Sequence, residues 1–426
     1  MKYLLLLIIL YTTHITLSIA QQKLIIPAAD RTDLYFPMLK NKSVAVFANP
    51  TSRVGNSHLV DTLIKSGIDV KVIFGPEHGF RGTADAGEHV NNAKDAATGI
   101  DVISLYGDHK KPTKQDLLGI DVMLFDIQDV GVRYYTFISS LEYYLQAAYA
   151  YNIPVLILDR PNPNGHYVAG PVLNLKYKSF VGMQPIPIVY GLTIGEYAYM
   201  LTMQSITPVV GTIQLPNTVL AQVQVKVDNS IRQMITSKRV GLTANLTIIT
   251  CANYTHKSKY MLPVAPSPNL KLMNSIYWYP STCFIEGTVL SEGRGTDAPF
   301  QIFGHPSYAN ATKGLYTFTP NSNAGAKSSK LFGVQCYGWS LVNQAPPNDI
   351  DLKHIITAYQ LFPNKDSFFL IPKNGDTDQS FFNKLAGNNT LMKQLQQEKS
   401  ETEIKKSWKP ELDKYKAIRK KYLLYP

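Results

Sequence analysis

Three stretches of this chain concentrate acids, guanidinium groups and glycines. The first is Phe74-Gly75-Pro76-Glu77-His78-Gly79-Phe80-Arg81-Gly82, followed by a further Glu-His pair in Gly87-Glu88-His89. Glycines let backbone approach a ligand closely, and a turn that holds Glu77 between proline and glycine can aim its carboxylate. Glu77 is therefore the first candidate for a general acid, a group that gives a proton to a leaving oxygen. It can instead pair with Arg81. His78 suits an orienting role, and Glu88 either joins the same cleft or caps a helix.

The second stretch runs Asp126-Ile127-Gln128-Asp129 to Arg133-Tyr134-Tyr135-Thr136. Alternation from a strand end puts Asp126 and Gln128 on one side and Asp129 beyond them. Carboxylates, an amide and adjacent rings form a sugar-binding set, because pyranose faces stack on rings while hydroxyls need polar partners. Arg133 can fork onto a substrate carboxylate or be held by Asp126 or Asp129. Asp159-Arg160-Pro161-Asn162-Pro163-Asn164-Gly165 offers the amides of Asn162 and Asn164 to a substrate or to its own turn. The third stretch joins Pro266-Ser267-Pro268-Asn269, Glu286-Gly287-Thr288 and Ser291-Glu292-Gly293-Arg294-Gly295. Two glutamates beside a glycine-flanked arginine, facing Glu77 across a domain boundary, would suit a glycoside hydrolase, in which two carboxyls flank the scissile bond.

The elements that must position these groups read as α/β. Runs at Ser43 to Phe47, Val70 to Phe74, Val102 to Leu105, Val122 to Phe125 and Pro154 to Leu158 are nearly continuous in apolar residues. Such strands belong to a parallel sheet covered on both faces. Helices are expected at His58 to Ser66, Phe137 to Tyr151 and Thr193 to Gln204. The clusters follow strand ends, where ligands bind in open parallel sheets. No GxGxxG follows the first strand and no GxxxxGK[ST] occurs, which removes the main support for nucleotide binding. Beyond about residue 205 strands are expected at Gln222 to Val227, Leu246 to Thr250 and Leu331 to Tyr337, and helices at Ile350 to Leu361 and Leu391 to Leu412. The expected organisation is a signal peptide over 1–20, a Rossmann-like catalytic domain over 21–205 and a smaller α+β domain over 206–426, with the site in the cleft between them.

Composition narrows the class. At 426 residues, 45% hydrophobic and 17% charged, the chain is neither disordered nor a disulfide mini-protein. Lys2, the apolar run Leu4 to Leu10 and Ser18-Ile19-Ala20 read as a cleaved export signal too short to span a bilayer, so the mature protein is expected outside the cytoplasm, periplasmic or secreted, without stable membrane insertion. Cys251, Cys283 and Cys336 lack paired CxxC spacing and allow at most one disulfide. A net charge of +11 favours anionic partners such as wall glycans. Basic runs at Lys405-Lys406 and Arg419-Lys420-Lys421 come without a nucleic-acid motif, so nucleic acid is set aside. A metal-dependent hydrolase using His78, His89, Asp126 and Asp129 is the rival enzyme, but their spacing matches no zinc signature. No metal or cofactor is expected. A wall-binding protein without turnover is the other rival.

Taken together, FGPEHGFRG, GEHV, DIQDVGVRYYTF, DRPNPNG, PIPIVYGLTIGEYA, PSPN, YPSTCFIEGTVLSEGRGTDAPFQIFG, SWKPEL and KYLLYP resemble the NamZ family of exo-β-N-acetylmuramidases, formerly a domain of unknown function, from about residue 40 onward. The resemblance implies a Rossmann-like domain and a smaller C-terminal domain around an interdomain active site. It also implies release of terminal N-acetylmuramic acid from the non-reducing end of peptidoglycan-derived glycans. The family's catalytic glutamate corresponds to Glu77, and Glu292, Glu88 and Asp126 match acidic positions of its motifs. N-acetylmuramic acid carries a lactyl carboxylate, so its pocket needs a cation, and Arg81, Arg133 and Arg294 lie one in each cluster.

Overall fold

A computed structural model describes residues 23–81, 92–203, 213–214, 246–310 and 315–426. The expected signal peptide, Glu88 with His89, and the expected strand Gln222 to Val227 lie outside the described residues.

The apolar runs form the strands β1 (Ser43–Ala48), β2 (Asp69–Gly75), β3 (Ala93–Lys94), β4 (Asp101–Ser104), β5 (Val122–Asp126), β6 (Val155–Leu158), β7 (Ile213–Gln214) and β8 (Leu246–Ile249). They make one eight-stranded sheet in the order β3-β4-β2-β1-β5-β6-β8-β7. Only β3 pairs antiparallel; every other neighbour is parallel. Strands buried on both faces have no polar side to show, hence the unbroken apolar runs. Alternate residues divide between two cores. Ala45, Phe47, Met123, Phe125, Val155 and Ile157 pack beneath α3 (Phe137–Ala150) and α4 (Ile194–Met203). Val44, Val46, Val122, Leu124 and Leu156 pack beneath α1 (Thr32–Leu39) and α2 (Leu59–Lys65).

The first core continues without a break into the C-terminal half. There, α5 (Met273–Thr282), α6 (Lys353–Leu361), α7 (Phe381–Ala386), α8 (Thr390–Gln396) and α9 (Glu401–Arg419) surround a small antiparallel sheet of β9 (Ile302–His305), β11 (Cys336–Ser340) and β10 (Tyr316–Phe318), with β11 central. Three expectations need correction. The strand expected at Leu331 to Tyr337 forms instead over Cys336–Ser340, because the chain turns at Leu331, which has φ 57. Leu246 to Thr250 does not belong to the second domain: β8 pairs in parallel with β6, so the large sheet draws on chain well past residue 206. The expected helix Leu391 to Leu412 is two helices, because Ser400 and Glu403 form a reciprocal capping box that starts α9 afresh.

The C-terminal Tyr-Pro is tied back to the large sheet. Tyr425 Oη donates to Asp159 Oδ2 over 2.5 Å, and the His256 amide donates to the Pro426 carbonyl over 2.8 Å. All three cysteines are free and buried. Among the described residues no helix is long and apolar enough to cross a membrane.

Candidate active site

β2 runs out at Gly75, and the Gly79 amide donates to the Pro76 carbonyl over 2.9 Å, closing a turn with Glu77 and His78 at its centre. His78 has φ 69, a left-handed conformation that a residue with a side chain adopts only where its surroundings impose it. Glu77 is half-buried there. Beyond the end of β4, Tyr106 donates its hydroxyl to Glu77 Oε1 over 3.0 Å. Burial raises the phenol pKa of Tyr106, the charge and hydrogen bond of Glu77 raise it further, and the Arg294 guanidinium partly offsets both. Groups from all of these segments thus meet in one space.

That space is a cleft of about 280 Å³ between the two halves. The large sheet contributes Glu77, His78 and Tyr106, and the start of α3 brings Tyr134, Tyr135, Thr136 and Phe137. Ser267, Asn269, Tyr279, Glu286, Arg294, Phe300 and Phe381 close it from the C-terminal half. Tyr134 presents ring rather than hydroxyl: its Oη donates to the Pro280 carbonyl, and its ring stands edge-on to Tyr279 at 5.4 Å. Tyr135 likewise donates to the Pro266 carbonyl, over 2.7 Å. The walls are therefore aromatic, with carboxylates set among them.

Arg294 is flanked by Gly293 at φ 78 and Gly295 at φ 79, backbone that explains the glycine–arginine–glycine pattern. Its Nη2 donates to Glu286 Oε1 over 2.7 Å, its Nε lies 3.3 Å from Glu292 Oε1, and its guanidinium stacks over Phe300. Burial alone would lower its pKa, but the two carboxylates override that and raise it. Glu292 is 3% exposed and also pairs with Lys330 Nζ at 2.9 Å, so it sits behind Arg294 rather than in the cleft. Glu286 lines the cleft and accepts a further hydrogen bond from Cys283 Sγ, 3.1 Å away.

The remaining candidates are elsewhere, and each has a reason. Asp126 is fully buried and takes both Nε and Nη2 of Arg160, over 2.6 and 2.7 Å. Gln128 donates to the carbonyls of Asp129 and Pro161, Asn162 to that of Leu192, and Asn164 to that of Val130. These amides hold turns together and offer nothing to a ligand. Asp129 accepts from the Gly131 amide over 2.6 Å and from Tyr190 Oη; burial pushes its pKa up to about 7. Arg81 grips Asp95 with two bonds, over 2.9 and 2.8 Å, and Asp61 with two more, over 3.0 and 3.4 Å, tying the loop after Glu77 to α2. Arg133 is fully buried and donates to the carbonyls of Leu385 and Ala386, at the carboxyl end of α7, so it pins the two halves together. Of the three arginines expected to contact substrate, Arg294 lines the cleft, whereas Arg81 and Arg133 are committed elsewhere.

Two cleft residues were not candidates in the sequence. Tyr106 follows directly on the run Val102 to Leu105, and Glu286 stands in the cluster of Glu292, but residue type alone does not say which of two nearby glutamates faces inward. Among the described residues no group of three or more histidine, cysteine, aspartate or glutamate side chains gathers as a metal site.

Residues 44–274 match the N-terminal domain, and residues 277–425 the C-terminal domain, of the exo-β-N-acetylmuramidase NamZ. The chain belongs to the NamZ family. It is 34% identical to the peptidoglycan β-N-acetylmuramidase NamZ of Bacillus subtilis strain 168 over 418 residues, covering 92% of this chain and 89% of that protein. Two crystal structures of DUF1343 family proteins from Bacteroides fragilis NCTC 9343 share the fold. One has a TM-score of 0.77 at 40% identity, the other 0.71 at 25%; each covers 94% of this chain and 99% of its own. The two NamZ domains meet at the start of α5, whose Tyr279 reaches the cleft. As a NamZ family member the chain is a glycosidase, and its cleft holds carboxylates of the kind that chemistry uses.

Proposed function

We propose that this protein hydrolyses the β-1,4 bond between N-acetylmuramic acid and N-acetylglucosamine, releasing N-acetylmuramic acid from the non-reducing end of peptidoglycan fragments during wall turnover. The observation that carries the reading is the placement of Glu77 at the carboxyl end of β2, in a ring-walled cleft that it shares with Glu286 and Arg294. Glu77 gives its proton to the glycosidic oxygen as the bond to C1 breaks, and N-acetylglucosamine leaves with that proton. Water then adds to C1, and its surplus proton returns to Glu77. Tyr106, bonded to Oε1, fixes the carboxyl's orientation throughout. Rings of Tyr135, Phe137 and Phe300 offer surfaces for pyranose faces.

Arg294 supplies the cation for the lactyl carboxylate. Its Nη2 and Nε are taken up by Glu286 and Glu292, and its side chain lines the cleft. A lactyl carboxylate entering the cleft would meet a cation there, whereas an N-acetylglucosamine residue, lacking the lactyl group, would gain nothing from it. The proposal includes export from the cytoplasm to where such fragments arise, a reading supported by Lys2 and the apolar run Leu4 to Leu10.

The test is to incubate the purified protein with an N-acetylmuramic acid–N-acetylglucosamine disaccharide and with chitobiose, following both by NMR. Release of N-acetylmuramic acid from the first, with little cleavage of the second, is expected. An inert muramic acid disaccharide, or equal cleavage of both, would overturn the reading.

A further inference from the structure

We propose that Glu286 is the second catalytic carboxylate, the anion that faces the positive charge developing at the anomeric carbon while Glu77 protonates the leaving oxygen. The inference rests on the glycosidase reading above and assigns a role in that same site.

Three observations carry it. First, the described carboxylates lining the cleft are Glu77 and Glu286, and they come from different halves: one from the end of β2, the other from the segment after α5. A sugar occupying the cleft would meet both carboxyls, the pairing that glycosidic cleavage uses. Among the described residues the other candidate acids are enclosed, with Asp126 taken up by Arg160 and Glu292 shut behind Arg294 and Lys330.

Second, Glu286 is held by fixed partners, with Arg294 Nη2 at 2.7 Å and Nε at 3.3 Å from Oε1 and the Cys283 thiol at Oε2. Glu77 is oriented separately, by the Tyr106 hydroxyl at its Oε1. Two carboxyls aimed into one cleft by different elements can take different roles at one glycosidic bond.

Third, the segment carrying Glu286 is held rigidly. A side chain at Gly287 would come within 2.5 Å of Phe382 Cα, so the turn is pressed directly against α7. Lys330 Nζ donates to the carbonyls of Ile285 and Thr288, over 3.0 Å each, bracketing Glu286. A carboxylate that must face a transition-state charge at a fixed distance needs this preorganisation.

The experiment compares Glu286→Gln, Glu77→Gln and Glu292→Gln on two muramic acid glycosides, one carrying the natural N-acetylglucosamine leaving group and one carrying 2,4-dinitrophenol, which departs without a proton. Glu286→Gln is expected to lose at least about 10²-fold in kcat on both, because the charge at C1 develops whatever the leaving group. Glu77→Gln should lose activity on the natural substrate and regain most of it on the dinitrophenyl glycoside. Glu286→Ala with added formate, a small carboxylate that can enter the vacated space, should recover part of the lost rate, which a purely structural glutamate would not allow. Circular dichroism checks each fold; should Glu286→Gln not fold, Glu286→Ala and its formate rescue decide. The proposal is overturned if folded Glu286→Gln keeps kcat within a few-fold of wild type, if its loss lies only in KM, if its loss vanishes on the dinitrophenyl glycoside, or if formate restores nothing to Glu286→Ala. Wild type inert on both glycosides would instead sink the underlying glycosidase reading.

Discussion

The Tyr106 hydroxyl donates to Glu77 Oε1 over 3.0 Å, joining the ends of two neighbouring parallel strands at the proposed general acid. A side-chain hydrogen bond is worth about 0.5–1.5 kcal/mol net, and this one holds the carboxyl in a single orientation. Tyr106→Phe should therefore lower kcat on the muramic acid disaccharide by about 3- to 10-fold, with the melting temperature little changed. Steady-state kinetics beside thermal unfolding of both proteins checks this. An unchanged kcat would mean that the bond does not orient the acid.

Arg133 and Arg294 should separate cleanly. Arg133 donates to the Leu385 and Ala386 carbonyls from a fully buried position, so Arg133→Ala leaves a cavity and unpaired carbonyls. A loss of about 3 kcal/mol or more in stability is expected, with KM for the folded enzyme nearly unchanged. Urea unfolding beside steady-state kinetics measures both.

Arg294→Lys keeps the charge but loses the planar fork. The ratio of kcat/KM for muramic acid over N-acetylglucosamine glycosides should fall about tenfold or more, equivalent to about 1.4 kcal/mol of discrimination. The same ratio for Arg81→Lys should stay put, because Arg81 is committed to Asp95 and Asp61 outside the cleft.

Buried Asp129 gives stability a pH dependence. Its pKa stands at about 7 in the fold against an ordinary 3.8, so the folded state prefers the protonated form. That preference is fully present below about pH 4 and is lost as pH rises through 7. His58 works the other way: burial lowers its pKa to about 4, adding stability as pH rises towards 6.5. Asp129→Asn isolates the first contribution, since His58 is common to both proteins. The melting temperature of wild type relative to Asp129→Asn should drop between pH 5 and pH 8, and a constant difference would contradict the assignment.

Much of the fold was legible because a strand buried on both faces must be apolar throughout, as Val122 to Phe125 and Val155 to Leu158 are. The sequence does not show which half β8 joins, because its four residues look the same wherever they pair, and its partner β6 lies far back in the chain. The Glu77 turn was legible from its own chemistry. The arginines were not, since a guanidinium capping α7 and one facing a ligand have the same one-letter signature, and only packing tells Arg133 from Arg294. Glu286 and Glu292 posed the same problem six residues apart, decided by which side chain Lys330 and Arg294 enclose.

The most direct test of the account is kcat of Glu77→Gln on the muramic acid disaccharide. A general acid contributes about 10²- to 10⁴-fold, so a loss of that size is expected with unchanged melting temperature. A folded Glu77→Gln enzyme turning over at close to the wild-type rate would contradict it.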